Sequence, residues 1–218
     1  MAIVSEVTRN VTSFGGFPLK QARVSIWSDV GGREGALIQR CAEGEEAAYT
    51  ELLAEHQRMV IQLAMNLLGD RDEALDLSQE VFLRVFRTIH RFRGQSSLRT
   101  WIYRIAVNQA RNRQRFWRRR HRADQVSLDV HVAAHGELAS HGSAGPDRLL
   151  AQKELASKLE HALEHLPFDQ RTAIILREVD GLSYDEIAYS LGVAVGTVKS
   201  RLTRARQALR LELREAKA

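Results

Sequence analysis

Residues 181–210 read GLSYDEIAYSLGVAVGTVKSRLTRARQALR. Ser183 and Glu186 have the spacing of a capping box: the hydroxyl accepts from the backbone N–H three residues on, and the carboxylate reaches back to the amide of the cap. A helix is therefore expected from Ser183 through Ile187 and Ala188 to Leu191. Gly192 then permits the sharp corner that a helix-turn-helix needs. From about Val195 a second helix spaces Val198, Leu202, Ala205 and Leu209 by four, three and four, a single stripe at about 100° per residue. That stripe is expected to pack inward. Ser200, Thr203, Arg204 and Gln207 fall opposite it, flanked by Lys199, Arg201, Arg206 and Arg210. Hydroxyl and amide groups suit base edges, and the cations suit phosphates. Thr197, at the helix start, can bond a phosphate together with the open backbone amides there. A helical hairpin with a solvated basic face has the same pattern, so the remainder of the chain must decide.

That remainder is helical in composition. The 218 residues include only 3 Pro and 14 Gly, with 44% hydrophobic residues, enough for one domain or two small ones. Lys and Arg number 32 against 27 Asp and Glu, so the net charge of +5 is modest and its distribution matters more than its total. The single cysteine, Cys41, excludes an internal disulfide and a Cys-rich zinc site, and suits a reducing compartment. It reads as a small packed side chain. No apolar run approaches the roughly 18 to 20 residues needed to span a bilayer, and the N-terminus lacks the pattern of a secretory signal. The expectation is a cytoplasmic protein without membrane insertion.

Four parts are expected along the chain. Residues 1–32, broken by Gly15, Gly16, Pro18, Gly31 and Gly32, read as a poorly ordered extension. Residues 33–120 form about four helices, with breaks at Gly44, at Gly69-Asp70 and from Gly94 to Ser97. Residues 121–146 lose the apolar period and read as a flexible linker, on the order of 85 Å long if fully extended. Residues 147–218 form four more helices, interrupted at Leu166-Pro167, Asp180-Gly181 and Leu191-Gly192. The fold class is all-α, two small helical domains on a tether.

A second basic helix begins near Leu98. Arg104, Asn108, Arg111 and Arg115 recur at four, three and four, with Trp101 about 60° away, while Leu98, Ile102, Ile105 and Ala106 take the other side. This surface suits unpaired bases: guanidinium groups follow a backbone, an indole stacks, and an amide reads an exposed base edge. Trp101 and Tyr103 can equally be core residues. The polar loop Phe92 to Ser97 can wall a pocket for a flipped base. The helix before it, from about Arg71 to Ile89, is expected to bury Leu75, Phe82, Val85 and Ile89. It leaves an acidic and partly apolar patch of Asp76, Gln79, Glu80 and Leu83, which fits a basic protein partner better than a polyanion.

Catalysis and metal binding find little support. Asp72, Asp76 and Glu80 repeat every four residues, but no second carboxylate set accompanies them, so they read as a solvated face. His161 and His165 have two-ligand zinc spacing, as do His131 and His135, yet neither pair has a Cys nearby. They read as surface histidines. The expectation is no enzyme, no cofactor and no metal.

Two stretches together, DLSQEVFLRVFRTIHRFRGQSSLRTWIYRIAVNQARN (residues 76–112) and LPFDQRTAIILREVDGLSYDEIAYSLGVAVGTVKSRLTRARQALR (residues 166–210), resemble bacterial sigma-70 type initiation factors, specifically the small extracytoplasmic-function (ECF) group. The resemblance covers roughly residues 35 to 120 and 147 to 212 and implies a factor that binds core RNA polymerase and directs promoter-specific initiation. The first part then looks like region 2, which docks on the polymerase clamp helices and melts the minus 10 element. Asp76, Gln79, Glu80 and Phe82 fall at its polymerase-binding positions, and Phe92, Ser96, Trp101, Arg104, Asn108 and Arg111 at or near its melting and base-capture positions. The second part looks like region 4, which meets the polymerase flap and sets its recognition helix in the major groove of the minus 35 element through Thr197, Lys199, Ser200, Arg201, Thr203 and Arg204. The resemblance also implies promoter DNA as a partner, both duplex and single-stranded, and an anti-sigma factor. Two features depart from the family. Ala194 stands where Ser or Pro is frequent, and residues 1–32 exceed the usual short N-terminus.

A helix-turn-helix repressor acting without polymerase is the rival from another class, but the chain offers neither a receiver nor a ligand pocket for it.

Overall fold

The computed structural model describes residues 32–123 and 146–215. Residues 1–31 of the expected extension, residues 124–145 of the expected linker with His131 and His135, and the last three residues lie outside the described residues, whereas Gly32 already begins a helix, 121–123 continue one and Pro146 begins another. Eight helices are present and no strand occurs among the described residues: α1 (Gly32–Ala42), α2 (Glu46–Leu68), α3 (Arg71–Thr88), α4 (Leu98–Ala123), α5 (Pro146–Glu164), α6 (Phe168–Glu178), α7 (Tyr184–Leu191) and α8 (Val195–Glu215). A 3-10 turn, Ile89–Arg91, follows α3 directly.

The helices end where sequence chemistry ends them. Gly69, at φ +73°, closes α2 with its N–H on the Met65 carbonyl, and one residue later Asp70 caps α3 by accepting from Glu73 N at 2.8 Å. Gly192, at φ +65° and ψ +40°, turns α7 toward α8 in the left-handed region, where a side chain is strained. Before α7 the capping box forms in full: Ser183 N donates to Glu186 Oε2 at 2.9 Å and Glu186 N donates to Ser183 Oγ at 3.3 Å. Ala194 offers no side-chain cap to α8, but its carbonyl accepts from Thr197 N and Val198 N.

Helices α1 to α4 form one bundle and α5 to α8 a second. The first core holds Leu52, Leu63, Leu67, Leu77, Val81, Val85, Ile89, Leu98 and Ile102, and Cys41 is fully enclosed there. Burial pushes the Cys41 thiol up to about 12, so it stays protonated and inert. In the second bundle Val198, Leu202 and Ala205 are buried as their spacing requires, with Leu209 packed at the margin. The inward stripe of α3 lies slightly off the expected one. Ala74, Leu77, Val81, Phe82, Val85 and Phe86 are buried, and Leu75 is only half-buried, because α3 faces α2 and α4 together.

The bundles are not separate in space. The short helix α7 lies along α4, α6 touches α2, and the buried side chains form one continuous cluster.

The cap carries a pH signature. The Ser183 amide, ahead of the other donors, holds the Glu186 carboxyl below the usual glutamate range. Its contribution is therefore present above that range and lost as pH falls through the lowered folded value. Ser183→Ala should cost about 1 kcal/mol in denaturant unfolding. The stability difference between the parent and Glu186→Gln should be present at neutral pH and shrink as pH drops below the ordinary glutamate range.

Candidate nucleic-acid and polymerase interface

On α8 the outward face matches expectation. Lys199, Ser200, Thr203 and Arg204 are exposed and Thr197 half-exposed. Ser200 Oγ donates to the Thr197 carbonyl at 2.9 Å and Thr203 Oγ1 to the Lys199 carbonyl at 3.0 Å, which parks both hydroxyls against the helix with acceptor capacity left outward. Arg201 differs. Its side chain is only 18% exposed and donates to Asp169 Oδ2 at 2.8 Å, because its position turns it toward the start of α6.

On α4, Asn108 and Arg104 are exposed, and Arg104 lies over the ring of Tyr189 of α7 at 4.9 Å from the centroid. Trp101 is half-buried, edge-on to Phe92 with ring centroids 5.4 Å apart, so it is part wall and part surface. Ser96 is half-exposed in the loop, its hydroxyl on the Ser97 carbonyl. Phe92 is 3% exposed and belongs to the core rather than to the loop's outer wall, since the 3-10 turn folds it back under Trp101. Arg111 is 21% exposed, donating to Asp169 Oδ1 at 3.2 Å and lying over Phe168. One carboxylate thus takes an arginine from each basic helix.

The acidic patch on α3 is real as a surface. Asp76 and Glu80 are exposed and Gln79 half-exposed, while Arg113 of α4 bridges Glu73 at 2.6 Å and Glu80 at 2.7 Å. Phe82 is 1% exposed and stands with Phe86 on the inward stripe, so it can support the patch only from beneath.

Between the bundles lies a polar seam that no sequence pattern signalled. Tyr103 donates to Asp180 Oδ1 at 2.8 Å, Arg99 donates to the Asp180 carbonyl at 3.2 Å, and Thr100 donates to Glu186 Oε1 at 3.1 Å. Glu186 therefore caps its own helix and accepts from the other bundle. Burial raises the Asp180 carboxyl above the usual aspartate range, against the opposing pull of Tyr103 and Arg99, and Asp180 Oδ2 has no hydrogen-bond partner. Local spacing could not have found Asp169 or Asp180, whose partners are separated by 58, 32 and 77 residues.

An all-helical chain with a helix-turn-helix, a second cationic-aromatic helix and an acidic patch defines a nucleic-acid-binding protein that also engages another protein. Comparison with known proteins makes this specific. Residues 52–123 match the family model for Sigma-70 region 2, and residues 156–209 that for Sigma-70, region 4. The chain is 35% identical over 173 residues to RNA polymerase sigma-H factor of Pseudomonas aeruginosa, and 38% identical over 177 residues to ECF RNA polymerase sigma-E factor of Escherichia coli K12. Each match covers 79% of this chain and 90% of the relative. Among solved structures it is similar to the sigma factor RpoE of Bartonella quintana, crystallised with the anti-sigma factor NepR (TM-score 0.62, 29% identity, covering 76% of this chain and 96% of that one). It shares its fold with CnrH, solved with the cytosolic domain of CnrY (TM-score 0.59, 24% identity, covering 84% and 97%). The chain belongs to the ECF group of the sigma-70 family: it is an initiation factor that binds core RNA polymerase and directs promoter-specific transcription, and it is not an enzyme. No described helix is long and apolar enough to cross a membrane.

The seam sets a stability prediction. Tyr103→Phe leaves the Asp180 carboxylate buried without its side-chain donor, and should cost about 1–3 kcal/mol at neutral pH. Burial raises the folded pKa of Asp180, and losing the Tyr103 donor raises it further, so protonation relieves the variant more than the parent. The cost should therefore shrink as pH falls through that raised value, as measured by urea unfolding across a pH series.

Proposed function

We propose that this initiation factor divides its work between its two bundles. Helix α8 grips the minus 35 duplex in the major groove through Thr197, Lys199, Ser200, Thr203 and Arg204, with base edges read by the polar side chains and phosphates met by the cations. Helix α4 and the Ser96 loop capture bases of the minus 10 element as strands part, with Trp101 and Arg104 stacking and Asn108 reading an edge. Asp76, Gln79 and Glu80 meet the basic clamp helices of polymerase, and the second bundle reaches the flap. Residues 33–120 and 147–218 then act as two domains and residues 121–146 as their tether, so both grips are held at high effective concentration. The observation that carries this reading is the exposed polar and cationic face of α8 set directly opposite its buried stripe.

The packed arrangement of the two bundles is the resting form in this reading. Asp169 occupies both Arg111 and Arg201, and Arg104 rests on the ring of Tyr189, so charge meant for DNA is engaged within the chain until polymerase separates the bundles. An anti-sigma partner fits the same form, supported by the anti-sigma factor NepR that accompanies RpoE in its solved structure. The cytoplasm is where such a factor works.

Transcription by purified core polymerase with this chain, on a promoter library with core alone as control, tests the reading. Promoter-selective initiation is expected, and its absence would favour a repressor acting without polymerase. Arg204→Ala should cost about 1–3 kcal/mol in duplex binding if it reads a base, or lower the salt slope by about 1 if it holds a phosphate. Asn108→Ala should instead slow strand opening with little loss of duplex affinity. Equal defects of both variants in both assays would refute the division.

A further inference from the structure

We propose that His161, His165 and Glu212 form a binding site for a divalent transition-metal ion of the zinc class, clamping the start of the second bundle to the far end of the recognition helix. The two histidines lie one turn apart on one face: α5 runs to Glu164, and His165 N still donates to the His161 carbonyl at 3.3 Å, which carries the helical turn through the second imidazole. Glu212 arrives from the last turns of α8, which packs along α5. One ligand atom from each of the three side chains lies within 4.8 Å of the others. Metal bonds of about 2.0–2.2 Å place the ligands of a tetrahedral ion roughly 3.3–3.5 Å apart, so an ion has to draw the two exposed imidazoles and the half-buried carboxylate together by about 1 Å.

The orientation of His165 supports ligation. Its Nδ1 lies 2.8 Å from the His161 carbonyl. A ring donating there carries its proton on Nδ1 and presents the Nε2 lone pair outward, the way in which metal-binding imidazoles are commonly held by a backbone acceptor. The His161 and His165 rings stand 4.3 Å apart at 52°, two nitrogen bases side by side that a shared cation would hold without repulsion. Two imidazoles and one carboxylate match zinc and its neighbours; calcium and magnesium would demand more oxygen, and the absence of sulfur from the set disfavours copper(I). The fourth position opens to solvent, since both histidines are exposed.

The site is invisible to local spacing because the carboxylate comes from α8, far along the chain from both histidines. Ala162 and Leu166 near the two histidines are buried, Leu209 of α8 is partly buried, and α5 packs on α8, so a bound ion would tie together helices that already meet. Glu212 is about 12 Å along the helix axis from Arg204, so metal binding leaves the DNA-facing residues uncovered. The proposal does not depend on how α8 meets DNA.

The test uses the full chain, stripped with a chelator and titrated with zinc chloride by calorimetry, then with cobalt(II) for its visible absorption. One equivalent of zinc should bind, with a tetrahedral cobalt spectrum. His161→Ala and His165→Ala should each weaken binding by at least about tenfold, and Glu212→Gln by less. All three side chains are at least partly exposed, and circular dichroism checks that the variants keep their helices. As a second readout, zinc should raise the melting temperature of the parent and leave that of the doubly substituted His161→Ala, His165→Ala chain unmoved. Failure of the parent to bind one equivalent overturns the proposal. So does retention of parent affinity by the double variant, which would place the ion on other histidines.

Discussion

Helix α4 has to satisfy two bundles at once, and the architecture follows from how it does so. One side sends Leu98, Ile102, Ala106, Val107 and Ala110 into the core shared with α2 and α3. The adjoining side sends Thr100 and Tyr103 toward α7, where a purely apolar contact would take their donors away from Asp180 Oδ1 and Glu186 Oε1. Polar groups in a buried seam cost free energy unless each finds a donor or acceptor, and here hydroxyls from one bundle meet carboxylates from the other. The third side is left for cations.

Carboxylates do most of the organising in this basic chain. Asp169 holds Arg111 and Arg201 together, where two guanidinium groups from different helices would otherwise repel. Glu73 and Glu80 do the converse with Arg113, two acidic groups around one cation. Such part-buried, multiply bonded pairs are specific in geometry and modest in net stabilisation.

Many of these features are legible in the order of residues alone. The capping box at Ser183, the corner at Gly192 and the inward run of Val198, Leu202 and Ala205 are local, because they depend on hydrogen bonds and spacings within a turn or two. The helix breaks at Gly44, Gly69 and Gly94 are legible for the same reason: a left-handed backbone selects glycine at once. Phe82 and Phe92 show the limit. Motif position marks them, but only packing shows that both rings point inward.

The sequence by itself determined the eight amphipathic helices, their caps and corners, the polar and cationic face of α8 and the acidic face of α3, since each follows from the order of side chains along a single helix. Only the tertiary structure decided that α7 lies on α4, that Asp169 takes an arginine from each bundle, that Tyr103 serves Asp180, and that Glu212 comes close to His161 and His165. These pairings join residues far apart in the chain. They are set by which apolar faces bury one another, and no local periodicity encodes that choice.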